Sequence, residues 1–192
     1  MAKAQLFNKL KKEYDHYYVS RHRIIAVANE ALASSKQAIF AMHRDDIKDA
    51  EKLLALAEKK LKSLKKYFVQ NFFLEDEGAY RAAIEEYVEA KLFWQVLTTG
   101  KIDFIKTVNL YFSGYLGGLC DLTGELLRKM ILLATAGKFK EAGKLKDLMA
   151  DIVAELIKFN LTGYLRNKYD GAKNNLRKAE EILYEIKMKS RQ

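Results

Sequence analysis

The 192-residue chain sets 34 Lys and Arg against 25 Asp and Glu, a formal charge of +9, with 49% hydrophobic and 31% charged residues. That balance excludes a disordered chain and points to a polyanionic partner. A single cysteine, Cys120, excludes a disulfide framework and a multi-cysteine zinc site, and the lack of any proline argues against a turn-rich β fold.

Helical periodicity then runs through the chain. The first helix is predicted over Ala4 to Arg44, with Ile24, Val27, Ala28, Ala31 and Ile39 along one face. Its opening, MAKAQLFNKLKKEYD, lacks the apolar core of a secretory leader. Asp45 and Asp46 offer an N-cap for a second helix from Asp46 to about Asn71, striped with Leu53, Leu54, Ala57, Leu61 and Leu64. A third helix covers about Glu77 to Leu97 and stops at Thr98-Thr99-Gly100. The fourth is expected from about Asp103 to Ala136, ending at Gly137. The fifth runs from about Phe139 to Phe159 and the last from about Gly163 to Lys189.

These elements predict an all-α fold, an antiparallel bundle of about six to seven long helices. With no Gly- or Ser-rich linker, residues 1–192 read as one domain. The longest uncharged run, Thr107 to Cys120, is interrupted by Asn109, Ser113 and glycines, so it reads as a buried helix and not a membrane span. No membrane partner is expected, and a reduced, cytoplasmic setting is.

Two acidic pairs resist the default reading of charges as solvated helix faces. Between Thr107 and Leu127 the only charged residues are Asp121 and Glu125, four apart and therefore on one helical face, among Leu116, Leu119, Leu122 and Leu126. An ionised carboxylate buried without a partner costs several kcal/mol, so something outside the segment must compensate. A lysine or N–H from another helix, a wet groove at a subunit interface, or a cation would serve. In EEYVEAKLFW, Glu86 and Glu89 share a face of a mostly apolar helix. If helices three and four lie antiparallel, the four side chains converge in one cleft. Such an oxygen-rich cluster suits Mg²⁺ or Mn²⁺, which activates water and offsets charge on a phosphodiester. A di-iron bundle is disfavoured: it needs Glu-x-x-His on two helices, whereas His16, His22 and His43 all fall on the first.

EYVEA (86–90) and DLTGEL (121–126) resemble signature segments of the translin family, nearest its catalytic branch, the translin-associated factor X type. SKQAIFAMHR (35–44) and KYDGAKNNLRKAEEILYEIK (168–187) are similar to that family's end of helix one and its C-terminal helix, so the resemblance spans nearly the whole chain. It implies a translin-like fold and a Mg²⁺- or Mn²⁺-dependent endoribonuclease acting on single-stranded or duplex-derived RNA. The family's acidic site falls on Glu86, Glu89, Asp121 and Glu125, as catalytic and metal-holding residues. Translin proper lacks the complete set, and a non-catalytic scaffold binding RNA or single-stranded DNA is the alternative reading. The resemblance also implies a closed homo-octameric shell around RNA, with Lys36, Arg44, Arg23, Arg81 and Arg128 as candidate RNA-binding cations. Each of these is equally at home as a solvated surface charge. The short loop TTGKID implies a minimal, prokaryote- or archaeon-like form that self-assembles.

Cys120, in apolar surroundings, is expected to be a small buried residue and not a nucleophile. Trp94 is read as a core or interface anchor, and Tyr14, Tyr17 and Tyr18 as helix-packing residues before base-stacking ones.

Overall fold

The computed structural model describes residues 2–70, 72–108 and 110–189. Asn71, expected near the end of the second helix, and Asn109 lie outside the described residues. Among the described residues there are six α-helices: α1 (Ala2–His43), α2 (Ile47–Gln70), α3 (Gly78–Thr99), α4 (Phe112–Thr135), α5 (Phe139–Leu156) and α6 (Gly163–Lys189). Short 3-10 turns cover Phe72–Asp76 and Ile157–Phe159, and no strand occurs among the described residues. The all-α bundle is as predicted, and no described helix is long and apolar enough to cross a membrane.

The helix ends follow from local chemistry. Asp46 caps α2 by accepting the Asp49 amide at 3.0 Å. Asp45 takes φ +63°, turning the chain between α1 and α2. Gly100, at φ +72°, ends α3 with its N–H on the Val96 carbonyl at 2.9 Å. The first turns of α1 stand clear of the bundle, so Leu6, Phe7, Leu10, Tyr14 and Val19 are exposed, whereas Ile24, Ala28 and Ala31 are fully buried. Tyr14 and Tyr18 lie ring against ring at 4.4 Å on this projecting segment. Trp94 is half-buried, with Lys91 above its ring and its indole N–H on Glu51.

Side-chain contacts give the direction of each helix. α1 and α2 are antiparallel, as Glu30 meets Lys60 across the hairpin. α2 and α3 are also antiparallel: Phe68 meets Tyr80, Glu58 meets Tyr87 and Glu51 meets Trp94. α1 and α3 therefore run the same way, paired at Arg21–Glu77, Lys36–Glu86 and His43–Phe93.

The fourth helix departs from expectation twice. It begins at Phe112 rather than near Asp103, and it runs parallel to α3: Gly114 sits on Ile84, Gly117 on Glu85 and Gly118 on Val88. One cause explains both. Residues 101–108 and 110–111 form no helix but return along α3 as a strap. The Asp103 amide donates to the Gln95 side chain at 2.9 Å, the Thr107 hydroxyl meets the Tyr87 hydroxyl at 3.0 Å, and Tyr111 ends beside Arg81. Ile105 and Val108 are buried from the strap, and the Asp103 carboxylate turns back on the Phe104 amide, a local bond that competes with helix. α4 can then start level with the start of α3.

The parallel α3–α4 contact is very close. A Cβ on Gly118 would stand 2.6 Å from Val88 Cγ1 and 2.9 Å from the Glu85 carbonyl oxygen. Gly118→Ala is therefore expected to destabilise the protein by about 1–3 kcal/mol through overpacking. Gly143→Ala, on α5 with nothing within 4 Å of the added carbon, is expected to stabilise it by about 0.5–1 kcal/mol through helix propensity. Thermal unfolding of the two variants beside the parent checks the contrast; equal shifts would contradict the tight contact.

Candidate acidic site

The α3–α4 contact sets the level of the acidic residues. Glu85, Glu86 and Glu89 project from α3, and Asp121 and Glu125 from α4. Glu86, Glu89 and Glu125 line one open cleft of about 330 Å³ together with Lys36, Phe40 and Arg128. Asp121 lies close enough to Glu86 and Glu89 for the three to repel one another.

The carboxylates differ in what balances them. Lys36 of α1 stands 3.9 Å from Glu86. Asp121 takes an ion pair from Lys168 of α6, and the same ammonium reaches Glu85 at 2.9 Å. Tyr164, one turn earlier on α6, donates its hydroxyl to Glu85 at 2.7 Å. Glu125 is bonded to His43 Nε2 at the end of α1. Glu89 is 8% exposed, and among the described residues no cation is hydrogen-bonded to it.

Burial raises the proton affinity of Glu86 and Asp121, offset by Lys36 and Lys168 respectively. The Glu89 carboxyl is pushed up to about 9, first by burial and then by repulsion from Asp121, Glu86 and Glu125. Lys168 is held firmly charged by its two carboxylates. Cys120 is 2% exposed with its thiol pushed up to about 12 by burial, a group unsuited to nucleophilic attack.

A buried lysine fixes the end of α1 where His43 sits. Lys129 of α4 is 6% exposed and donates to the Met42 carbonyl at 3.4 Å and to Asp45 at 2.6 Å. A cation at a helix C-terminus answers its unpaired carbonyls. His43 is in turn packed on Phe93, with ring centroids 5.0 Å apart.

Of the five cations singled out in the sequence, the structure brings Lys36 and Arg128 to the cleft. Arg44 is exposed in the turn after α1, Arg23 is exposed further back on α1, and Arg81 is half-buried beside Tyr111. None of those three lines the cleft. Glu85, His43 and Lys168 carry the site's internal pairing, and sequence reading gave them no such part. A buried glutamate adjoining the acidic pair and a lysine within the matched C-terminal segment were the available signals. As placed, no three His, Cys, Asp or Glu side chains among the described residues are gathered closely enough to hold a metal ion.

Comparison with known proteins bears on this arrangement. Residues 19–190 match the model of the translin family. The translin-associated protein X homolog of Schizosaccharomyces pombe is 30% identical over 146 residues, covering 69% of this chain but 61% of the yeast protein, less than two thirds of its length. An uncharacterized protein of Methanocaldococcus jannaschii is 29% identical over 82% of this chain and 72% of its own. Among solved structures, apo-NeC3PO superposes with a TM-score of 0.85 at 24% identity, covering 93% of this chain and 95% of that one. AfC3PO in a duplex RNA complex gives 0.85 at 23% identity, covering 95% and 96%. These likenesses carry the fold. A family match over nearly the whole chain, with a yeast relative at 30% identity, makes this chain a member of the translin family.

Proposed function

We propose that this protein is a divalent-cation-dependent endoribonuclease whose reaction centre is the cleft between α1, α3 and α4. The observation that carries the reading is Glu89, a buried carboxylate with no hydrogen-bonded cation among the described residues, repelled by three others at a cleft that also presents Lys36 and Arg128. A fold does not hold such a cluster without cost, and a cation would relieve it.

The donor set fits a hard cation, because all four candidate ligands, Glu86, Glu89, Asp121 and Glu125, offer oxygen. Mg²⁺ or Mn²⁺ there supplies charge neutralisation at a phosphodiester and water activation at neutral pH. The protein's own groups do the rest. Lys36 and Arg128 grip phosphates beside the cleft, Lys168 holds Asp121, and His43 orients Glu125. Relatives support an RNA substrate, since one similar protein, AfC3PO, is known in complex with duplex RNA. The exposed apolar face of α1, with Leu6, Phe7 and Leu10, supports assembly into a homo-oligomer, for which we propose an octamer.

One observation favours a second reading, a non-catalytic RNA-binding scaffold. Asp121 and Glu125 already hold Lys168 and His43. The same assay separates the two readings. Labelled single-stranded RNA is expected to be cut in Mg²⁺ or Mn²⁺ and spared in EDTA. Glu89→Gln and Asp121→Asn are expected to lower the rate at least about a hundredfold while RNA affinity holds, since each removes a ligand to a cation worth several kcal/mol. Parental cleavage by both variants would exclude this site, and no cleavage by the parent would leave the scaffold.

Stability has a pH signature. In the metal-free fold Glu89 keeps its proton up to about 9, whereas its unfolded value is 4.5. Between these limits the folded state holds the extra proton, so this contribution is complete below about 4.5 and is lost as pH rises toward 9. The expected slope is a loss of at most about 1.4 kcal/mol per pH unit. Glu89→Gln should flatten that slope between those limits in chelator. Mn²⁺ should bind more tightly as pH rises, because its entry releases the proton. Parallel stability–pH curves for parent and variant would contradict the assignment.

Binding itself should be electrostatic. With several phosphate contacts, RNA affinity is expected to drop at least about tenfold between roughly 50 and 200 mM salt. Lys36→Ala and Arg128→Ala should each weaken binding, and Arg81→Ala, which does not line the cleft, should not. Filter binding across salt concentrations reads both.

A further inference from the structure

Phe40 is out of place in the bundled part of α1, residues 24–43, where every other large apolar side chain is buried or half-buried. Ile39 and Ala41, its chain neighbours, are 5% and 0% exposed, yet the Phe40 ring is 55% exposed at the mouth of the acidic cleft. It is not alone there. The Arg128 guanidinium lies over the ring, 5.2 Å from its centroid, and Lys36 is one turn earlier on the same face of α1. An apolar ring flanked by two cations beside a cluster of carboxylates is poorly served by water alone. Its exposed surface asks for a flat apolar partner, and the flanking charges ask for an anion on each side.

A nucleotide in a single strand has that composition: a base that unstacks readily, between two phosphates. We propose that Phe40, with Arg128 above it, is the stacking platform for one unpaired base of single-stranded RNA, next to the phosphate that lies at the acidic cleft. The inference rests on reading the cleft as an RNA site and adds its selectivity. Lys36 and Arg128 take the phosphates on either side, and Phe40 takes the base between them. Inside a duplex each base is paired and stacked above and below, so only the end pairs leave a face for Phe40. The platform therefore favours unpaired over paired strands without reading sequence, because every base offers a π-face.

Equilibrium binding in EDTA tests this whether or not the protein cleaves RNA. The probes are a labelled 12-nucleotide oligoadenylate, the corresponding abasic ribose-phosphate strand, and the perfect duplex of the same length. Phe40→Ala is expected to weaken oligoadenylate binding about tenfold, the scale of one lost base stack. It should leave the abasic strand and the duplex within about twofold of the parent, since their phosphate contacts remain. Phe40→Leu, which keeps apolar bulk without a flat face, should behave like Phe40→Ala and guards against a folding defect in it. Phe40→Trp should restore binding.

An equal loss on all three probes, or no loss on oligoadenylate, would overturn the proposal. So would a fall in the assembly's mass by light scattering for Phe40→Leu, because the ring would then be a contact between copies of this chain.

Discussion

Everything at the cleft depends on the distance between α3 and α4. Gly114, Gly117 and Gly118 present bare backbone to Ile84, Glu85 and Val88, so the side chains of α3 seat directly on the backbone of α4. That closeness lets the acidic residues of α3 and α4 feel one another, and α1 closes the third side through Lys36, Phe40 and His43. A larger residue at Gly118 would push apart the charges that give the site its character. The glycines that read in the sequence as interruptions of an apolar run are thus the seam around which the charges are arranged.

The charges are balanced unevenly, and the unevenness is informative. Lys168 is shared by Glu85 and Asp121, so one cation answers two carboxylates. His43 meets Glu125, and Lys36 stands at the longer distance from Glu86. Partners arrive from α1 and α6, elements remote in sequence from the acids they meet. The deficit falls on Glu89, the most deeply buried of the four candidate ligands, where burial and like charge act in the same direction. A proton on Glu89 relieves both at once.

Much of the architecture could be read from periodicity, because helices are local. α1, α2, α3, α5 and α6 begin or end within a few residues of their predicted limits, and Asp46 and Gly100 act as the start and stop signals they resemble. The strap could not be read. Ile102, Phe104, Ile105, Val108 and Leu110 mimic a helical stripe, and neither Gly nor Pro marks the break. What holds the segment extended is Gln95 and Tyr87, residues of a helix already passed. The same limit applies to the site. Glu86, Glu89, Asp121 and Glu125 stood out because their own neighbours are apolar. The parts played by Glu85, His43 and Lys168 are defined by contacts across the chain, which spacing does not encode. Parallel travel of α3 and α4 was likewise invisible, since it follows from the strap.

That parallel travel has a kinetic consequence. An antiparallel helical hairpin closes a short loop and can form early, as α1 with α2 and α2 with α3 are placed to do. α4 has no such route to α3. The strap must first be laid back along α2 and α3, with Tyr87 engaging Thr107 and Ile105 buried, before Gly118 can seat on Val88. Closing that larger loop carries an entropic cost that only the finished contact repays. The acidic cleft is lined in part by α4, so a nascent chain lacks it until α4 has docked.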